Sequence, residues 1–397
     1  MGLPPLFVTA NLNTHEILFL LIAMRRILAI CTSHIGGVLL ITPALELLRQ
    51  FFPQAEISVL VRRGTEAVLE NNPHIKEIYT DGELTSNQHM HKSTKSSLAK
   101  RYSQIPRGLR LIRKLRRQHF DLAIDFNGSD RAAILAFFSG AKARVGFKDA
   151  GGFIGKSKLF TELYPTPDAR KHRVLHVTDL VSQMAHRRPE CASIQPTVGG
   201  LVLKPTAENL KWAEQQWNEP SAFAGPRVLI HPTSRVAYKC WPEEKWAEII
   251  RRLQKDSGAR VMLTCSPDEK EVKMAEKILN LCPQKPPSRL GGISLAQLSA
   301  LIQSAALFLG VDSAPMHIAA AVGTPVIAVF GPSDDAVWSP WGKNNRVIRR
   351  PCPCLEKKQT LCSTLKGMDC LNNVPADDLY QAAAEALSGS TKSIGRV

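Results

Sequence analysis

Residues 307–333 read LFLGVDSAPMHIAAAVGTPVIAVFGPS. Two short apolar runs, Leu307–Val311 and Val326–Phe330, flank a helical stretch at 315–322. Short, near-continuous apolar runs are the signature of strands buried on both faces of a parallel sheet. A helix between two of them is the crossover of a β–α–β unit. Val311 therefore ends a strand, and Asp312 opens the loop at its carboxyl end, the edge at which open α/β sheets bind ligands. Ser313 can cap the next helix, with Pro315 in its first turn, where a missing N–H costs little. The free amides of that helix start suit a diphosphate, with the Ser313 hydroxyl beside them and His317 one turn on. Simple helix capping for Ser313 and a structural role for His317 are the plainer readings.

The same alternation extends in both directions. Apolar strands are expected at 27–31, 56–61, 75–79, 120–125, 227–230 and 260–264. Helices are expected at 38–52, 65–71, 109–118, 174–186, 241–253, 268–280, 294–305 and 376–388. The pattern weakens between 148 and 205 and then restarts. A chain of 397 residues exceeds one ordinary core. The expected fold class is α/β, with two Rossmann-like domains at 24–200 and 201–397. Residues 1–23 are an extension. Its apolar run, 17–23, is too short to span a bilayer, which takes about 20 residues. Met24 followed by Arg25 and Arg26 reads as a natural start, which would make 1–23 a start-site artefact; a short membrane-associating segment is the alternative.

Lys and Arg outnumber Asp and Glu by 51 to 35, a formal charge of +16. Such an excess favours anionic partners. It is concentrated at 91–117, where Lys92, Lys95, Lys100 and Arg101 lead into Arg107, Arg110, Arg113, Lys114, Arg116 and Arg117 without an acid. A solvated helix face, an anionic acceptor site and a membrane surface all fit. Nucleic acid does not, since no aromatics are interleaved and no binding module is present. Nine cysteines are present. Five are scattered as in a reduced cytosolic protein. Cys352, Cys354, Cys362 and Cys370 cluster at a spacing unlike paired zinc ligands, so no metal is expected.

Three further loops of the second half leave strand ends at the same edge. Thr233, Ser234, Arg235 and Lys239 bring two hydroxyls and two cations within seven residues. Donors of this kind stabilise the charge that grows on a departing diphosphate. Glu269, after the next strand, is placed to accept from a ribose hydroxyl pair. The last of these loops is Gly331-Pro-Ser333. In the first half the loop Ser33-His34-Ile35-Gly36-Gly37 lacks the third glycine of a dinucleotide fingerprint, which excludes NAD. There is no Walker A lysine motif and no G-x-S-x-G elbow. The segment from Asp125 to Arg131 joins the basic helix as a candidate acceptor region.

Taken jointly, these stretches resemble the ADP-heptose:lipopolysaccharide heptosyltransferases, a glycosyltransferase family of GT-B fold. The resemblance covers residues 25–388. It rests on the Arg25–Ile30 strand, the Ser33–Leu45 loop and helix, His231–Ser234, Tyr238–Trp246, Gly310–Ala321 and Gly323–Ser333. The Cys352-Pro-Cys354 and Cys370-Leu-Asn-Asn segments look most like the heptosyltransferase III branch. The resemblance implies two parallel-sheet domains facing across a cleft. It implies inverting transfer of heptose from ADP-heptose to the inner core of lipopolysaccharide, without a cofactor or required metal, in the cytoplasm or peripherally at the inner membrane. Carried over, Thr233, Ser234 and Lys239 contact the donor phosphates, Glu269 the ribose, and Asp312, Ser313 and His317 the sugar and diphosphate. Arg107, Arg110, Arg113 and Lys114 are candidates for the acidic acceptor. One departure stands out. The family's expected general base is an aspartate at the position of Gly37, and a related lysine is replaced by Cys31. Loss of a positioned base costs roughly 10²–10⁴-fold. Three outcomes stay open: His34, Asp125 or Asp130 serves instead; the acceptor is activated otherwise; or the chain binds its ligands and transfers slowly or not at all. A related transferase using another nucleotide sugar is a further alternative.

Overall fold

The computed structural model describes residues 24–83, 105–352 and 369–391. The extension 1–23, Lys92, Lys95, Lys100, Arg101, Cys354, Cys362 and the side chain of Arg107 lie outside the described residues. The first sheet contains β1 (Arg26–Cys31), β2 (Glu56–Val61), β3 (Glu77–Thr80), β4 (Leu122–Asp125), β5 (Ala143–Phe147) and β6 (Glu162–Tyr164). The second contains β7 (Arg227–His231), β8 (Arg260–Cys265), β9 (Ser288–Leu290), β10 (Leu307–Val311), β11 (Val326–Val329) and β12 (Asn345–Ile348). Their orders are β3-β2-β1-β4-β5-β6 and β12-β11-β10-β7-β8-β9. All the pairings are parallel, as the continuous apolar runs dictate. Each order reverses at its middle pair. Ile30 lies opposite Asp125 at the end of β1 and β4, and Gly310 opposite His231 at the end of β10 and β7. A crevice opens outside the carboxyl ends at such a reversal.

Helices cover both faces of each sheet. In the first half they are α1 (Ile35–Leu39), α2 (Thr42–Phe51), α3 (Ile105–Arg116), α4 (Asp130–Phe138) and α5 (Arg173–His186). The second half has α6 (Ala207–Trp217), α7 (Glu243–Ser257), α8 (Glu269–Leu281), α9 (Leu295–Gln303), α10 (Ala314–Ala321), α11 (Asp335–Trp338), α12 (Asp369–Asn372) and α13 (Ala376–Thr391). One apolar cluster runs through both halves, from Ile27 and Leu45 to Phe308 and Ile318. Separate clusters lie on the far face of the second sheet and on the far face of the first, beneath α3 and α4. Trp217, the last residue of α6, ties that helix to α9 by an indole N–H donated to Leu301 O at 3.1 Å.

The halves meet at their carboxyl edges. α1 packs on α10. An ideal Cβ built on Gly36 would lie 2.9 Å from Cδ2 of His317, so only glycine lets this loop approach so closely. Arg235 reaches Nε2 of His34 at 3.2 Å. His172 caps α5 by accepting from Val174 N on Nδ1. Its Nε2 then donates to Ser339 O at 2.9 Å.

Several expected elements differ from those observed. The helix expected over 38–52 is two helices, because Pro43 has no N–H for the Leu39 carbonyl; the Thr42 hydroxyl donates to it instead at 2.8 Å. The expected helix at 65–71 is a single 3₁₀ turn at Glu66–Val68. The weak region contains the three-residue strand β6, too short to give a periodic signal.

Gly36→Ala should lower stability by about 1–3 kcal/mol through overpacking against His317. It should also enlarge the radius of gyration in solution scattering. Unchanged melting and scattering would show that the loops do not meet this closely.

Candidate functional site

The second sheet's crevice holds the strongest constellation. Lys239, on a 3₁₀ turn after β7, is ion-paired with Asp312 at the end of β10, Nζ to Oδ2 2.5 Å. Ser313 occupies the N-cap position of α10, yet its side chain makes no cap bond. This corrects the expected capping role: the Ser313 hydroxyl is buried without a partner among the described residues. Nδ1 of His317 is likewise buried and unpartnered. Burial pushes the His317 pKa down to about 4, so the imidazole is neutral at pH 7. The result is a helix start with a cation at its mouth and two unmatched polar atoms, suited to an anion bearing hydroxyl groups. Pro315 has no N–H and Met316 N donates to Ser313 O, so the side chains rather than a row of free amides make the site.

Beneath this loop lies a network that no motif announced. Thr233 is fully buried and donates to Glu271 Oε2 at 2.6 Å. His231 Nδ1 is 3.0 Å from Thr264 Oγ1, and burial takes its pKa down to about 4. The Thr233 hydroxyl is therefore engaged in holding the loop. Ser234 Oγ accepts from Val236 N at 3.3 Å and remains partly exposed. Glu269 is the first residue of α8, exposed and paired with Lys273 at 3.6 Å. The buried acid is Glu271, and its signal was available: it shares a stripe with Ala275 and Ile278, where an acid must have a partner.

The first sheet's crevice faces this site. His34 occupies the N-cap position of α1 without a side-chain cap bond and stands between Arg235 and Arg62, the latter 3.5 Å from Nδ1. Partial burial, then the two guanidiniums, hold its pKa below the usual histidine range. Gly37 sits inside α1, where an added Cβ would meet Ser33 Oγ at 2.3 Å. A side chain at 37 thus requires Ser33 to move. Asp125 is buried, and its Oδ1 accepts from the backbone of Asn127 and Gly128. Burial lifts its pKa to about 6. Asp130 faces Lys156 at 3.6 Å. Arg173, unforeseen from sequence, reaches in from the start of α5. It donates to Phe126 O and is felt electrostatically by Cys31 and Asp125. Burial raises the Cys31 thiol to about 11, leaving it protonated.

The basic helix is placed differently from the expectation. Lys114 pairs with Glu77, the first residue of β3, at 2.9 Å and lies 4.5 Å from the centre of the Tyr79 ring. α3 runs antiparallel to the strands, so its basic end lies at the amino edge of the sheet, away from the crevice. Arg110 and Arg113 are exposed on the same helix. Among Arg107, Arg110, Arg113 and Lys114, Lys114 is thus the furthest along the helix from the carboxyl edge.

Comparison with known proteins bears on what such a site does. A family model described as Glycosyltransferase family 9 (heptosyltransferase) matches residues 108–367. Lipopolysaccharide heptosyltransferase 3 of Escherichia coli strain K12 is 30% identical across 91% of this chain and 98% of its own length. The Haemophilus influenzae lipopolysaccharide core heptosyltransferase OpsX is 26% identical across 80% of this chain and 82% of its own. Two solved structures share the fold at 19% identity. The family 9 glycosyltransferase of Veillonella parvula has a TM-score of 0.73, covering 93% of this chain and 99% of its own. The E. coli ADP-heptose lipopolysaccharide heptosyltransferase II has 0.71, covering 92% and 99%. The fold is the GT-B type that the resemblance implied, and the likeness to heptosyltransferase 3 agrees with the branch suggested by the cysteine segment.

His231 and His317 bind a proton less readily folded than unfolded. Their contribution is full above pH 6.5 and is lost as pH falls toward 4, by up to about 3 kcal/mol each. Melting followed from pH 7.5 to 4.5 should therefore fall more steeply for the wild type than for His317→Gln. Parallel curves would contradict burial of a neutral His317.

Proposed function

The chain belongs to glycosyltransferase family 9, the heptosyltransferases, and from that premise we propose that it transfers heptose from ADP-heptose to the inner core of lipopolysaccharide with inversion. The relatives' activity supports the donor and acceptor classes. The observation that carries the site assignment is the Lys239–Asp312 pair beside the unmatched Ser313 hydroxyl and His317 Nδ1 at the start of α10. In this reading Lys239 and Ser234, with the positive end of α10, hold the diphosphate. Asp312 and Ser313 take hydroxyls of the sugar. Neutral His317 donates or accepts without adding charge. Glu269 remains the candidate for the ribose, and Thr233 acts by positioning the loop through Glu271. The division at 200/201 assigns the donor to the second domain and the acceptor to the first.

In the transfer, an acceptor hydroxyl oxygen bonds to the anomeric carbon as the bond to the β-phosphate oxygen breaks. The leaving ADP keeps that electron pair, and the hydroxyl proton passes to a base. Gly37 offers none. Of the three candidates, His34 is the one that lies at the meeting of the halves, exposed and held in its neutral form. Asp125 is buried within its turn, and Asp130 is engaged by Lys156. His34 is therefore assigned as base. Arginine donors face both of its ring nitrogens, so the acceptor hydroxyl must displace one of them, the more distant Arg62 at Nδ1, before that nitrogen takes the proton. The protein works in the cytoplasm at the inner face of the membrane, where the acceptor is anchored. No helix among the described residues is long and apolar enough to cross a membrane.

His34→Gln should lower kcat by roughly 10²–10⁴-fold, leave the KM for ADP-heptose within about twofold, and remove the acid limb of the pH–rate profile. An unaltered kcat would exclude His34 as base. Asp312→Ala should weaken ADP-heptose binding at least tenfold, about 1.4 kcal/mol, and weaken ADP binding less. Equal affinities of variant and wild type for ADP-heptose, measured by calorimetry, would refute the site.

A further inference from the structure

The far face of the first domain carries an apolar stripe that the donor and acceptor sites do not use. α4 is apolar on nearly every side, so its sequence cannot be buried by one sheet face. Ala132, Leu135 and Ala136 pack inward against the sheet. Ile134, Phe137 and Phe138, at spacing i, i+3 and i+4, stay about 40% exposed along the outer surface. The loop that follows β5 adds further exposed apolar side chains, Phe153 and Ile154, at the start of α4. It is tied to α4 by Phe153 N donating to Asp130 Oδ1 at 3.4 Å, and at its tip Ile154 is fully exposed. Several large apolar side chains left exposed on one helix and the loop tied to it mark an interaction site rather than ordinary solvent exposure.

Cations frame the stripe. The Arg144 guanidinium stands over the Phe137 ring, 5.6 Å from its centre. Arg116 of α3 donates to Phe138 O at 3.2 Å, which fixes the basic helix alongside α4. α3 contains no acid, and the one acid of α4 is its first residue, Asp130. Aromatic and aliphatic side chains flanked by arginines match the boundary between anionic headgroups and acyl chains. A second copy of the chain fits less well, because a two-fold contact here would set arginines against arginines. Residues 84–104 fit less well for the same reason, carrying Lys92, Lys95, Lys100 and Arg101 without an acid.

We infer that the outer face of α3 and α4, with the Ile154 loop, is a docking surface for an anionic phospholipid bilayer. Phe138 and Ile154 enter the acyl boundary, and the α3 arginines take the phosphates. This keeps the chain at the membrane that anchors the acceptor, and it rests on the transferase reading only for that purpose, since vesicle binding needs neither donor nor acceptor.

The test is co-sedimentation of the full chain with vesicles of phosphatidylethanolamine and phosphatidylglycerol, without lipopolysaccharide. Binding should require phosphatidylglycerol and weaken with salt. Phe138→Ser/Ile154→Ser should lower partitioning about tenfold or more, with ADP release on a soluble core acceptor unchanged. If the double variant melts early, Ile154→Ser alone, at a fully exposed position, should lower partitioning several-fold. Absence of wild-type binding, equal binding by wild type and variants, or a dimer that the substitutions dissolve without any vesicle binding would each overturn the proposal.

Discussion

The molecule turns on the place where Gly36 leaves room for His317. A Cβ at position 36 would stand 2.9 Å from the imidazole, so the two loops that leave β1 and β10 come together only because one of them carries no side chain there. That contact buries His317 in neutral form, sets the start of α10 against the first domain and brings His34 to Arg235. Two sheets with independently reversing strand orders thereby present their crevices to each other.

The stability of this arrangement does not come from its charges. Lys239 is partly exposed but Asp312 is buried, and the cost of taking that carboxylate out of water offsets most of what the pair gains. The apolar cluster shared by both halves does the holding. The site itself costs stability: a buried polar atom without a partner costs about 1–3 kcal/mol, and Ser313 Oγ and His317 Nδ1 are two of them. Groups kept unmatched in this way are pre-set for a ligand's hydroxyls and phosphates, so binding need not break existing bonds.

Much of this was visible in the sequence. The apolar runs around Asp312 identified a parallel sheet, and strand ends located the loops of Thr233, Glu269 and Asp312. Short edge strands such as β6, β9 and β12 were not visible, because three or four residues give no period. Partners distant in sequence were also hidden. Glu271 lies 38 residues from Thr233, and Arg173 reaches Asp125 from a helix begun after β6. Sequence spacing identified basic residues on α3 without revealing that Lys114 belongs to the sheet's amino edge. Gly37 was legible as a departure, but its tight fit against Ser33 was not.

That fit shapes the remaining chemistry. An aspartate cannot enter at 37 without displacing Ser33, so the loop as it stands fits a glycine there. Whether the assembled crevices carry out transfer is settled most directly by incubating the wild-type protein with ADP-heptose and a heptose-deficient core acceptor. Mass spectrometry of the glycan is then read alongside ADP release. The account predicts one heptose added per ADP released. ADP-heptose binding with no added heptose on any inner-core acceptor would contradict it and leave a binding protein in place of an enzyme.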